Sequence, residues 1–268
     1  MSAYTALSTL ARRRFALSAH TPREIVVPLI TPVLFALVIA PALNEVVGGF
    51  TPGVDYVSFV ALGTVGLLVP LNTMFAGLGV IVDRQAGARR ELLAAPIRRS
   101  LLVLSNLTVA LAITALQIVV LIAAAALRGA DFPASGTGVL WFIGATLLFA
   151  IGMYGIAETL ASRIGKQEEY IGAVPAIAIV PWFFAGSLFP IAALPGALTA
   201  FAKVLPLTHV LAVIRWGLGV DPSGTGLHAI WGMSDPTAMA ALSLGVVALF
   251  AAAMTAISIR VFTRSAVQ

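Results

Sequence analysis

The chain has 268 residues, 60% of them hydrophobic and only 10% charged, with a net charge of +5. Mean hydropathy is +1.02 and the pI is about 10.2. Soluble domains carry about 25% charged residues, so this balance excludes an ordinary water-soluble core. The absence of cysteine excludes disulfides, thiolate metal sites and cysteine nucleophiles. The basic pI does not point to nucleic acid, because the arginines flank apolar runs, where basic residues anchor membrane topology.

The first element in chain order is YTALSTLARRRFALSAHTPREI, residues 4–25. Leu7, Leu10 and Phe15 or Leu17 supply an apolar face, while Arg12, Arg13 and Arg14 supply a basic one. Residues 1–24 are therefore expected to form an amphipathic helix in the inner membrane interface. Six apolar stretches follow, at 25–43, 57–82, 101–127, 137–161, 171–191 and 237–259. A hydrocarbon core about 30 Å thick needs about 20 apolar residues as a helix, and lipid leaves backbone groups no other partner. The expected fold is an all-α membrane protein of six spans over 25–262, with a short tail at 263–268. The first stretch is too long, and too interrupted by Pro28 and Pro32, for a cleaved signal segment.

Charge sets the orientation. With both termini cytoplasmic, 13 of the 16 basic residues lie inside; only Arg128, Lys203 and Arg215 lie outside. The arginine-rich, lysine-poor usage suggests a GC-rich bacterium and hence its inner (plasma) membrane.

Two loops carry more than topology. In DRQAGARRELLAAPIRRS (83–100), Ala88, Leu92 and Ala95 form an apolar stripe, Arg89, Arg90 and Glu91 lie off it, and Pro96 ends the helix. Such a helix is either a topology anchor or a helix that docks into a partner's groove. The segment 192–236 is long, and its run 198–220 is too apolar for water yet broken by Pro206. A re-entrant pair of short outer helices explains both facts; a seventh span broken by Pro206 is the alternative. Glu158 reads as an interfacial carboxylate snorkelling beside Arg163, with a proton-relay role as the alternative. Phosphate-loop, dinucleotide and zinc-protease motifs are absent, and His20, His209 and His228 are scattered. The pattern is that of a conduit energised from elsewhere.

The stretches DRQAGARRELLAAPIRR (83–99) and GSLFPIAALPGALTAFAKVLPLTHVLAVIRWGL (186–218) resemble type 2 ABC transporter permeases, the class that includes the daunorubicin-resistance efflux permeases. The second is the more specific, with Phe189-Pro190, Pro195, Leu205-Pro206-Leu207 and Arg215 in order. Val213 departs from relatives that carry an acidic or small polar residue there. The resemblance implies a half-transporter that pairs with a second permease subunit, homo- or heteromeric. It also implies a separate cytoplasmic ATP-binding subunit, which would hold the ATP and Mg, with no cofactor on this chain. It makes Arg84, Gly87, Arg89, Arg90, Glu91, Leu92, Leu93 and Pro96 a coupling helix. Arg12, Arg13, Arg14 and Phe15 become the interface helix. Phe189, Pro190, Pro195, Leu205, Pro206, Leu207, His209 and Arg215 become an outer gate, where Lys203 and Arg215 snorkel outward and Leu205, Leu207 and Leu211 face the second subunit. Phe183 and Phe184 are candidates for an apolar substrate path. The substrate implied is an amphipathic drug-like or lipid-like molecule moved outward. The competing readings are an ion- or proton-coupled secondary transporter, which would need several buried acidic groups, and a non-transporting membrane assembly protein.

Overall fold

The computed structural model describes residues 8–13, 15–16, 26–27, 29–30, 33–42, 55–85, 87 and 99–265. All regular structure among them is helical. The main helices are α1 (Tyr56–Gln85), α2 (Arg99–Ala126), α3 (Gly136–Arg163), α4 (Gln167–Phe184), α5 (Gly196–Val204), α6 (Pro206–Gly217), α7 (Thr225–Trp231) and α8 (Pro236–Ser265). A π-helical turn lies at Phe35–Ile39 and a 3-10 turn at Ile191–Ala193.

The helix starts follow from short polar caps at the ends of apolar runs. At α1, the Asp55 carboxylate accepts from Val57 N at 3.1 Å and from the Ser58 hydroxyl. It also accepts from Asp131 N at 3.3 Å, so one carboxylate ties the α2–α3 loop to the start of α1. Ser135 Oγ accepts from Gly138 N at 3.0 Å at α3, Asp221 accepts from Thr225 N and Gly226 N at α7, and Asp235 accepts from Thr237 N at α8. Each satisfies backbone donors that a helix leaves unpaired in its first turn.

Helix α1 is the centre of the bundle. In its most apolar window 72% of residues are buried, against 22% for α8. It packs against α2, α3, α4 and α6, while the most extensive helix contact is between α3 and α8. That contact is close because Gly152 and Gly155 of α3 lie against Phe250 and Met254 of α8. In lipid there is no hydrophobic drive between helices, so close backbone approach and polar ties supply the association. Helix α4 straps α1 at two levels: Tyr170 OH donates to Met74 O at 2.7 Å, and Trp182 Nε1 donates to Gly63 O at 2.7 Å. Between α1 and α2, Asn72 Nδ2 donates to Thr114 Oγ1. The outward surface is apolar: Val119, Leu140 and Leu249 are 64%, 69% and 73% exposed. Water would make such faces an aggregation hazard; hydrocarbon accepts them.

Four expected spans, 57–82, 101–127, 137–161 and 237–259, fall on α1, α2, α3 and α8, each long and apolar enough to cross a membrane. The bent pair α5–α6, turning by 82°, brings the number to at most five. The fifth expected span, 171–191, differs. Its helix α4 has only 18 residues, contains Pro175 and Pro181, and ends at Phe184. The apolar run continues, but Gly186 at φ +82° turns the chain. The first expected span, 25–43, is described only in pieces. Helix α8 continues to Ser265, past the expected end of the last span.

Candidate functional site

Apart from mid-bundle groups such as Asn72 and Thr114, the polar ties gather at the two ends of the bundle. At one end, α4 turns into the 3-10 segment and α5 breaks into α6. Pro206 sits in the first turn of α6, where a missing N–H costs nothing and the ring's fixed φ suits a helix start. The last carbonyls of α5 need partners. Leu205 N takes Ala202 O at 3.1 Å, and His209 Nε2 lies 3.0 Å from Lys203 O. A carbonyl only accepts, so Nε2 carries the proton. Ser243 Oγ, 3.2 Å from Nδ1, then donates to His209 and accepts from Trp231 Nε1 at 2.8 Å. Histidine thus fixes the α5–α6 bend and links it to α7 and α8.

Arg215 of α6 is the centre of this end, and it corrects the outward-snorkelling expectation. It is 6% exposed. Its Nη1 donates to Gly186 O at 2.8 Å, and its Nη2 donates to Ser187 O at 2.9 Å and Phe59 O at 3.2 Å. The guanidinium carbon lies 3.4 Å from the centre of the Phe59 ring. One cation therefore joins α6, α1 and the turn after α4. A second correction concerns Leu207 and Leu211. Both are buried against Gly66 of their own chain instead of presenting to a second subunit. Gly63 is equally constrained: an added Cβ would collide with the Ser187 carbonyl. Lys203 is exposed as expected; Phe189, Pro190 and Pro195 are exposed too, and Leu205 and Pro206 are half-buried. Phe183 is exposed and packs edge-on to Trp182 at 5.1 Å, while Phe184 meets Phe201 at 5.7 Å. A cavity of about 200 Å³ opens beside Arg215, between the turn after α4, α6 and α7.

At the other end, α1 runs out into the 83–100 loop. Arg84 donates to Ile164 O, Gln85 Nε2 to Gly165 O at 3.4 Å, and Gln167 Nε2 to Gln85 Oε1 at 2.7 Å. The root of the loop is thus fixed to the α3–α4 turn. Gly87 has φ +76°, a left-handed conformation that favours glycine. Arg89, Arg90, Glu91, Leu92, Leu93 and Pro96 lie outside the described residues. Residues 8–13 and 15–16 are helical. Arg12 is exposed, and Arg13 Nη2 pairs with Asp83 Oδ1 at 3.4 Å. Leu10 packs on the cluster containing Leu102, Tyr154 and Phe262, and Phe15 is exposed. Arg14 lies outside the described residues. Glu158 corrects the snorkelling expectation: it is 1% exposed and accepts from Tyr154 OH at 3.0 Å.

Sequence reasoning missed Phe59, Gly186, Ser187, Trp231 and Ser243. Most act through backbone carbonyls, which leave no residue-type signature; only the Gly-Ser-x-Phe-Pro run marked the turn.

A bundle of long apolar helices with a bent pair of short helices at one end defines a multi-pass membrane protein. The sequence profile of the ABC-2 type transporter family matches residues 5–218, and the chain belongs to that family. Among its relatives is a provisionally assigned transport permease, ycf38, of Porphyra purpurea, 23% identical over 212 residues, covering 78% of this chain and 72% of the relative. The ycf38 protein of Pyropia yezoensis is 22% identical over 197 residues, covering 73% and 67%. Both relatives are red algal, so they lend the bacterial expectation no support.

Proposed function

We propose that the chain is the transmembrane permease subunit of an ATP-driven exporter, not itself catalytic. The observation that carries this reading is the family match over most of the chain. Two six-span permease subunits would pair in the membrane, each with a cytoplasmic ATP-binding subunit that hydrolyses ATP with Mg. Both termini and the 83–100 loop would face the cytoplasm, and α5–α6 would re-enter the outer leaflet. The cargo would be an amphipathic drug-like or lipid-like molecule.

The geometry suits transmission along α1. A rocking ATPase would push the segment around Leu92, whose root at Arg84 and Gln85 is tied to the α3–α4 turn. Helix α1 carries the displacement to Phe59 and Gly63, the residues that face Arg215 and its turn. A coupled machine needs such an element with two packings, each favoured by a different partner state.

The test is co-purification with the ATP-binding subunit and reconstitution into vesicles. ATP should drive uptake of an amphipathic dye into inside-out vesicles. Leu92→Asp should weaken the complex by more than about 1 kcal/mol, roughly fivefold, and uncouple transport. An unaltered complex with full transport would leave the loop a topology anchor. Uptake driven by a proton gradient and lost in Glu158→Gln would favour a secondary transporter.

A further inference from the structure

A cavity of about 230 Å³, separate from the one beside Arg215, lies where the α2–α3 loop and the first turns of α3 meet the end of α6. Half-buried Trp141 and Trp216 line it, together with exposed Pro133, Ser135, Thr137 and Pro222. The two indoles meet edge to face, with ring centres 5.6 Å apart. Glycines hold the walls together. An added Cβ on Gly138 would collide with the Gly217 carbonyl, and one on Gly219, at φ +76°, would crowd the Pro133 carbonyl. The cleft is therefore set by backbone contact. Its volume falls below the roughly 300–1,000 Å³ of drug-sized sites, which suits a single small ring.

The polar groups of this cleft are accessible. Of the four tryptophans, Trp182 and Trp231 donate to protein acceptors at 2.7 and 2.8 Å. The indole N–H groups of Trp141 and Trp216 have no protein acceptor among the described residues, and neither is buried. Ser135 Oγ accepts from Gly138 N and lies 3.0 Å from Thr137 Oγ1. The two hydroxyls hold two protons, and their mutual bond uses one, so the pair can still both donate and accept. No charged side chain among the described residues lines the cleft. Helix α3 starts there and α6 ends there, so the two helix dipoles offset each other and favour neither sign of charge.

From this juxtaposition we infer that the cleft between Trp141 and Trp216 binds the ring of an uncharged sugar. A sugar ring has an apolar C–H face and a rim of hydroxyls. The face lies on an indole, while the hydroxyls accept from the indole N–H groups and exchange hydrogen bonds with Ser135 and Thr137. The site goes beyond the permease reading, because binding requires neither ATP nor transport. The sugar comes either from a glycolipid head or from a free saccharide.

The experiment uses the full chain in phosphatidylcholine nanodiscs. One arm dopes the disc with glucosyldiacylglycerol, or with diacylglycerol lacking the sugar, and reads retention by native mass spectrometry. The other adds methyl β-glucoside, with open-chain sorbitol as the control, and reads contact by saturation-transfer NMR. Selective retention of the glucolipid alone identifies a lipid ligand; binding of methyl β-glucoside as well identifies a site open to free sugars. Trp141→Leu should abolish binding, but it also removes packing. Thr137→Val, which removes an exposed hydroxyl, and Trp216→Phe, which keeps an aromatic wall without its N–H, therefore decide the matter. Each should weaken binding about fivefold, the scale of one hydrogen bond between neutral groups. Binding unchanged in both variants, equal retention of diacylglycerol, equal binding of sorbitol, or no binding of either sugar would overturn the inference and leave the tryptophans as interfacial anchors. Sugar binding without ATP-driven transport in the reconstituted complex would sink the permease reading alone.

Discussion

The two ends of the bundle are held together by different kinds of bond. At the Arg215 end the ties are buried or part-buried, and they run from side chains to backbone carbonyls across α1, α4 and α6. At the Arg84 end several are exposed side-chain contacts, including an Arg13–Asp83 pair whose side chains are 40% and 16% exposed. Water substitutes for an exposed bond and screens it. Burial shields the ties at the Arg215 end from most of that exchange. One end therefore resists rearrangement, while the other can remake its bonds at little cost.

The largest effect should come from Arg215→Ala. Three carbonyls lose their donor in a buried site, and the loss should be about 3 kcal/mol or more, read as a lower melting temperature in detergent. A variant as stable as the parent would remove the rigid half of the comparison. Gly63→Val comes next. Its side chain would meet the Ser187 carbonyl, and overpacking of this kind costs about 1–3 kcal/mol. Pro206→Ala should change stability by less than about 1 kcal/mol, since alanine also tolerates the first turn of a helix. On the proposed exporter function, export should nevertheless fall, because the α5–α6 bend loses a fixed angle; a strongly unfolded variant would mean that the bend is structural only. The smallest effect is expected of Arg13→Gln, at most about 1 kcal/mol, shrinking with added salt. If it destabilised more than Gly63→Val, the contrast between the ends would fail.

Much of the helix layout was legible because it depends on residue type. Pro206 marks the α5–α6 break through its missing N–H, and the apolar runs of α1, α2, α3 and α8 announce their lengths. The end of α4 was hidden, because the residues after Phe184 stay apolar while Gly186 turns the chain. The role of Arg215 was hidden for another reason. Charge at the edge of an apolar segment ordinarily argues for exposure, and the carbonyls that receive this cation come from residues distant in sequence. Glu158 was misread in the same way, since its hydroxyl partner, Tyr154, is one helical turn away and looks like any core aromatic. Local chemistry reads well from sequence, whereas burial decided by tertiary partners does not.

The short length of α4 has a consequence for the surrounding lipid. At 1.5 Å per residue its 18 residues measure about 27 Å, while the 30 residues of α1 and of α8 measure about 45 Å. A hydrocarbon core is about 30 Å thick. The long helices meet a thicker bilayer by losing tilt, but α4 has no length to spare. On the proposed six-span layout, thickening would draw its two ends, Glu168 at the start and Trp182 near the finish, against the hydrocarbon boundary. Because α4 grips α1 through Tyr170 and Trp182, acyl-chain length would act as a mechanical load on the central helix.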